Sequence, residues 1–139
     1  MSAGKTFVDT NILVYAHDRD AGRKRQIAQE LIKELAGARA GTLSMQVLQE
    51  FYVTATRKIG SPLPRNEARG IVDDFSHWCI LTGPEDIRRA FRIEDEAQIN
   101  FWDALIVASA VTAGATRILS EHLNPGQTIA EIMIENPFL

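Results

Sequence analysis

Apolar positions recur at two periods along the chain. The run KTFV, from Lys5 to Val8, is short, β-branched and aromatic, which predicts a strand, and Ile12 to Ala16 begins a helical segment. From Arg23 to Ala36, Ile27, Leu31 and Leu35 stand four residues apart with charges between them, an amphipathic helix that Gly37 should end. Gly41 to Leu43 predicts a very short strand, and Ser44 can cap a helix through MQVLQEFYVTATRK. Ser61, Pro62, Leu63 and Pro64 interrupt the pattern. Asn66 to Phe75 then predicts a helix, His77 to Leu81 a strand, and Gly83 and Pro84 a turn into the helix EDIRRAFRIEDEA. Asn100 can cap FWDALIVASAVTA, which Gly114 closes. Arg117 to Leu119 predicts a strand, Asn124 to Gly126 a turn, and Thr128 to Glu135 a last strand.

Strands alternating with helices imply an α/β fold with a parallel sheet covered on both faces. No two-residue hairpin signal is present, so right-handed crossovers are expected throughout. The stretch Ala104 to Ala113 has almost no polar face, as an element packed on a sheet requires. In such sheets ligands collect beyond the carboxyl ends of the strands, and Asp9 lies at one of those ends.

Length and composition then set bounds. With 139 residues, 45% of them hydrophobic, one domain over 1–139 can bury an adequate core. Cys79 is the one cysteine and reads as a small core residue, so no internal disulfide is expected. No secretory signal pattern is present at the N-terminus. The longest uncharged stretch, Ala104 to Thr116, has 13 residues, against the roughly 20 that span a bilayer. A soluble, cytoplasmic protein with no membrane association is the expectation. A net charge of −3 argues against a nucleic-acid binder that relies on bulk charge. Setting aside four acids bound to metal would turn the remainder weakly positive, so a metal-dependent nuclease is not excluded. The basic clusters Arg23, Lys24 and Arg25, Arg57 and Lys58, and Arg88, Arg89 and Arg92 read most simply as solvated helix faces.

Four acids stand among apolar neighbours: Asp9 in FVD, Glu50 in VLQEF, Asp103 in NFWDALI and Glu121 in ILSEHL. Each has a structural reading. Asp9 can be an N-cap, and Asp103, three residues after Asn100, a first-turn acid that complements the helix dipole. Glu50 can pair with Arg57, Lys58 or a distant arginine, and Glu121 can be a turn residue. Together the four point elsewhere, because isolated carboxylates in apolar surroundings cost several kcal/mol unless compensated. Like charges that converge require a cation. An all-carboxylate set suits Mg²⁺ or Mn²⁺, whereas zinc calls for histidine and cysteine clusters. His17, His77 and His122 show no paired ligand spacing. The chemistry implied is metal-assisted phosphodiester hydrolysis.

The segments FVDTNILVYA, LQEF, FWDALIVASA and ILSEHLNPGQTI, with the closing ENPF, occur in the order found in the PIN domain. The chain resembles that family, particularly the VapC-type toxins of toxin–antitoxin pairs, from about Thr6 to Pro137. The resemblance implies a three-layer α/β/α fold with a short, mostly parallel central sheet. It also implies an Mg²⁺- or Mn²⁺-dependent endoribonuclease acting on RNA, a homodimer, and a small antitoxin protein as partner. By position it implies metal binding at Asp9, Glu50 and Asp103, with Glu121 as the candidate fourth acid. The hydroxyl of Thr10 or the amide of Asn11 would order the site, with Ser120 and His122 in support.

One departure stands out: many family members carry Asp after Ser-Glu, and this chain carries His122. Glu121 can take over the fourth acidic role, the site can hold only three carboxylates, or His122 can donate a proton or contact a phosphate. The runner-up function is a catalytically weakened PIN-like module that binds RNA or protein. A third reading, an aspartyl-phosphate phosphatase with Asp9 as nucleophile, wants a second acid where Asn11 stands.

Overall fold

The computed structural model describes residues 4–139, so the first three residues of the domain expected over 1–139 lie outside the described residues. Strand β1 (Lys5–Val8) pairs in parallel with β2 (Gly41–Thr42) and with β3 (Ala115–Leu119). Strand β3 pairs in parallel with β5 (Ile132–Glu135), and β5 pairs antiparallel with β4 (Thr128–Ile129). The sheet order is β2-β1-β3-β5-β4. Thr6, Phe7 and Val8 are buried in succession, which happens only where both faces of a strand are covered.

Six helices supply that cover: α1 (Thr10–His17), α2 (Arg23–Ala38), α3 (Met45–Arg57), α4 (Arg65–Phe75), α5 (Pro84–Ala97) and α6 (Phe101–Thr112). Helix α6 lies against β3 and β5 with α5 beside it, and α1 packs on α2 and α3. The near-continuous apolar run of α6 is explained by this position, since Ala104, Ile106, Val107, Ala108, Ser109 and Ala110 are all buried. The three-layer α/β/α expectation with a mostly parallel sheet is met. No helix among the described residues is long and apolar enough to cross a membrane.

Three local expectations are corrected. The segment His77 to Leu81 forms no strand. Ser76–Trp78 is a single 3-10 turn, and sheet-like pairing shrinks to one bridge between Leu43 and Cys79. The Trp78 ring fills the place that a β-carbon at Gly41 would occupy, which anchors the turn while Leu81 projects into solvent. Helix α2 runs past Gly37 to Ala38, and Arg39 adopts the left-handed cap at φ 53°. The last strand is a hairpin rather than one extended segment. Ala130 and Glu131 form its two-residue turn at φ 50° and 66°, without the Asn or Gly that such turns favour, so the signal was missing from the sequence.

Candidate functional site

Strand β1 ends at Val8, and Asp9 leaves it in an extended conformation that makes it the N-cap of α1. Its Oδ1 accepts the Thr10 backbone N–H at 2.7 Å, and its Oδ2 accepts the Ser120 hydroxyl at 2.8 Å. Ser120 follows the end of the neighbouring strand β3. Its Oγ also accepts the backbone N–H groups of His122 at 3.0 Å and Leu123 at 3.2 Å. With both lone pairs engaged, the hydroxyl hydrogen is left to Asp9, which is thereby held as an acceptor. Asp9 is 7% exposed. Burial raises its pKa above the usual carboxylate value and the nearby Glu50 charge adds to the rise, while the bonds from Ser120 and Thr10 and the proximity of His122 oppose it.

Glu50 projects from α3 towards the same place. Its Oε2 accepts the Thr10 hydroxyl at 2.9 Å, and its Oε1 accepts the Gln46 side-chain amide one helical turn earlier at 3.0 Å. These partners stand where pairing with Arg57 or Lys58 was the structural alternative. Gln46 Oε1 is buried and has no partner.

Asp103 lies in the first turn of α6. Asn100 caps the helix by accepting the Asp103 N–H at 2.9 Å and donates its own amide to Asp103 Oδ2 at 2.9 Å. Asp103 Oδ1 faces His122 Nε2 at 3.3 Å. The cap reading of Asp9 and the first-turn reading of Asp103 therefore hold alongside their orientation into a common space. Asp9 is fixed by one bond from its neighbour Thr10 and one from the distant Ser120, and the Asp103 carboxylate by one bond from Asn100.

Glu121 differs. Tyr15 donates its hydroxyl to Oε1 at 2.7 Å, and Lys24 Nζ lies 2.6 Å from Oε2. Lys24 also sits over the rings of Tyr15 and Phe138, which meet edge to face. Desolvation would raise the Glu121 pKa, but the bonds from Lys24 and Tyr15 outweigh it and hold the carboxyl below its usual value. The fourth acidic role expected of Glu121 thus meets a side chain already neutralised by a lysine. Its backbone N–H donates to Asn11 Oδ1 at 3.1 Å, so Asn11 fastens the turn after β3 to the start of α1.

Asp9, Glu50, Asp103, Glu121, His122 and Trp102 all line one cleft of about 780 Å³ beyond the carboxyl ends of β1 and β3. Among the described residues no lysine or arginine nitrogen lies within 4.0 Å of Asp9, Glu50 or Asp103, whereas Glu121 has Lys24. The three uncompensated carboxylates form a hard-oxygen donor set of the kind Mg²⁺ or Mn²⁺ takes, with the buried, partnerless Gln46 Oε1 on a residue of the same cleft. No three His, Cys, Asp or Glu side chains among the described residues are drawn tightly enough to hold a metal unaided. Closing the set around one ion requires side-chain rotation within the cleft.

Four lining or supporting residues escaped the sequence reading: Tyr15, Lys24, Gln46 and Trp102. Gln46 was legible, being one turn before Glu50. Lys24 was read as part of a solvated basic face because its partner lies 97 positions away. Trp102, 63% exposed beside Asp103, carried no spacing signal.

The model of the PIN domain matches residues 6–121. No curated protein matches the chain. Among solved structures, a toxin–antitoxin complex from Klebsiella pneumoniae matches at a TM-score of 0.68 and 18% identity, covering 96% of this chain and 98% of that one. VapBC2 from Rickettsia felis, bound to a promoter DNA fragment, matches at 0.61 and 19%, covering 94% and 97%. VapC20 from Mycobacterium tuberculosis, a toxin that cleaves the sarcin-ricin loop, matches at 0.56 and 16%, covering 93% and 99%. At these identities the likeness concerns the fold.

Proposed function

The chain belongs to the PIN domain family, and on that premise we propose that it is a divalent-metal-dependent endoribonuclease, the toxin of a toxin–antitoxin pair. The observation that carries this reading is the convergence of Asp9, Glu50 and Asp103, from three remote segments, on one cleft with no lysine or arginine among the described residues to neutralise them. These three residues would hold Mg²⁺ or Mn²⁺. A bound dication there supplies Lewis-acid polarisation of the scissile phosphate and activation of the attacking water.

The remaining work falls to the chain itself. Ser120 and the Thr10 backbone fix Asp9 as a pure acceptor, Thr10 and Gln46 aim Glu50, and Asn100 aims Asp103. The exposed indole of Trp102 at the cleft rim offers a face on which a base can stack. The partners of this reading are an RNA substrate, a small antitoxin and a second copy of the chain in a homodimer. The test is cleavage of RNA by the purified protein with Mn²⁺, alongside Asp9→Asn and Asp103→Asn. Wild type that leaves every RNA intact, and is no more toxic on expression than the two variants, refutes the proposal.

The loose spacing of the donors favours a second reading, a module that binds RNA or protein without cutting. A Mn²⁺ titration separates the two, since a site unable to close gains no thermal stability from the ion.

A further inference from the structure

The fourth position of the cleft carries an imidazole where a carboxylate is the expected group. His122 Nε2 lies 3.3 Å from Asp103 Oδ1. That separation is long for a charge-assisted N–H···O bond, which sits at about 2.7–2.9 Å. It suits two neighbouring donors on one cation, because bonds of about 2.0–2.2 Å at right angles place their ends roughly 3.0 Å apart. Asp103 is the one carboxylate within 4.0 Å of the imidazole among the described residues. The backbone of His122 is itself held by Ser120 Oγ, the atom that fixes Asp9. One hydroxyl therefore holds both the Asp9 carboxylate and the backbone of His122. The side chain is 64% exposed, so it can swing towards an ion without disturbing the core. Glu121 is withdrawn from competition by Lys24.

We propose that His122 is a ligand of the metal that Asp9, Glu50 and Asp103 hold, giving this chain a mixed nitrogen–oxygen site that prefers Mn²⁺ to Mg²⁺. The inference rests on the metal-dependent reading of the cleft. Carboxylates serve both ions; imidazole nitrogen is a softer donor, which the transition ion Mn²⁺ takes more readily than Mg²⁺, an ion that gives up its waters reluctantly. Replacing a fourth carboxylate by a neutral ring also leaves three negative charges, enough to balance one dication and too few for two. One Mn²⁺ per chain follows.

The full chain, loaded with Mn²⁺ alone, provides the test. Electron spin-echo spectra of the wild type should show modulation from a directly bound nitrogen, absent in His122→Asp. Competition with Mg²⁺ should show the Mn²⁺:Mg²⁺ affinity ratio falling on the order of tenfold in that variant, the low end for changes in a metal's surroundings. Melting curves of the metal-free proteins establish that His122→Asp folds. Nitrogen modulation that persists in His122→Asp overturns the proposal. So does wild type that binds Mn²⁺, loses it in Asp9→Asn, and shows no nitrogen signal; in that case the metal-dependent reading stands and only the ligand assignment fails. Wild type that binds no Mn²⁺ overturns both.

Discussion

Helix α6 has a buried-acid site near each end, and the two are built alike. At its first turn the cleft contains Asp9, whose oxygens accept one backbone N–H, from Thr10, and one hydroxyl, from Ser120. At its last residue Thr112 donates its hydroxyl to Asp86, which also accepts the backbone N–H of Gly83 at 2.7 Å. Asp9 is 7% exposed and Asp86 6%. Both acids lie at helix N-termini, Asp9 as the cap of α1 and Asp86 in the first turn of α5, where the dipole favours negative charge. The difference is company. Asp86 ties α5 to α6 and has done all it can. Asp9 shares its cleft with Glu50 and Asp103 and is pushed towards protonation by burial and then by Glu50. Both acids have their hydrogen bonds satisfied, so what sets Asp9 apart is its clustering with other acids that no lysine or arginine among the described residues neutralises, and on the proposed reading that clustering marks the functional acid.

The largest separation between the two sites is expected in catalysis. Asp9→Asn should lower Mn²⁺-dependent RNA cleavage by on the order of 10³-fold, about 4 kcal/mol of barrier, with the far-ultraviolet dichroism unchanged. It should also abolish the stabilisation by Mn²⁺, which for the wild type reaches about 2.7 kcal/mol at a hundredfold excess over Kd. A cleaving Asp9→Asn protein would make the two acids equivalent and remove the contrast.

Asp86→Ala should invert that result. It removes the shared acceptor of the Gly83 N–H and the Thr112 hydroxyl, both on exposed residues that water can reach, so each lost bond should cost about 0.5–1.5 kcal/mol, and urea unfolding reads the loss. Cleavage per folded molecule and the Mn²⁺ response should stay at the wild-type level. Asp103 and Thr112 stand nine residues apart on α6, about 13 Å, so the stability effects of Asp9→Asn and Asp86→Ala should add within about 0.5 kcal/mol.

The hydroxyl donors sharpen the contrast further. Thr112→Ala should cost stability alone. Ser120→Ala should cost about 1–3 kcal/mol, because the His122 and Leu123 N–H groups lose their acceptor. It should in addition weaken Mn²⁺ binding by about tenfold, as loss of a group that orients a ligand does. Calorimetric Mn²⁺ titrations of both variants decide it. Equal metal affinity in the two would show that Ser120 is merely structural.

The legibility of these sites in the sequence follows from how far apart their parts lie. Asp9 and Asp103 could be singled out because each sits at a boundary that local pattern marks: the end of KTFV and the turn after Asn100. Asp86 drew no attention among the many charges of EDIRRAFRIEDEA, since its distinguishing partner, Thr112, is 26 residues on. Lys24 was misread for the same reason, as its role depends on Glu121. The helices were legible because amphipathic period and capping are local. The Ala130–Glu131 turn was not, because strand pairing between β4 and β5 imposes left-handed conformations on residues that do not seek them. Likewise, Gly37 has the composition of a helix end but Arg39 takes the cap.

Glu121 is the third acid of the comparison, neither buried cap nor uncompensated, and it yields the smallest expected effect. Its pKa is held below the usual 4.5: desolvation would raise it, and the bonds from Lys24 and Tyr15 outweigh that. An acid depressed on folding contributes stability above its unfolded pKa and loses it as pH falls through the folded value. Lys24→Met removes the chief source of that depression. The urea midpoint of the wild type should therefore exceed that of Lys24→Met at neutral pH, with the gap narrowing as pH drops below 4.5. Because the pair is partly exposed and screened by solvent, the gap should also shrink with added salt. A gap independent of pH from neutral to strongly acid conditions would show that Lys24 acts through its packing on Tyr15 and Phe138, and that Glu121 is free to join the cleft acids after all.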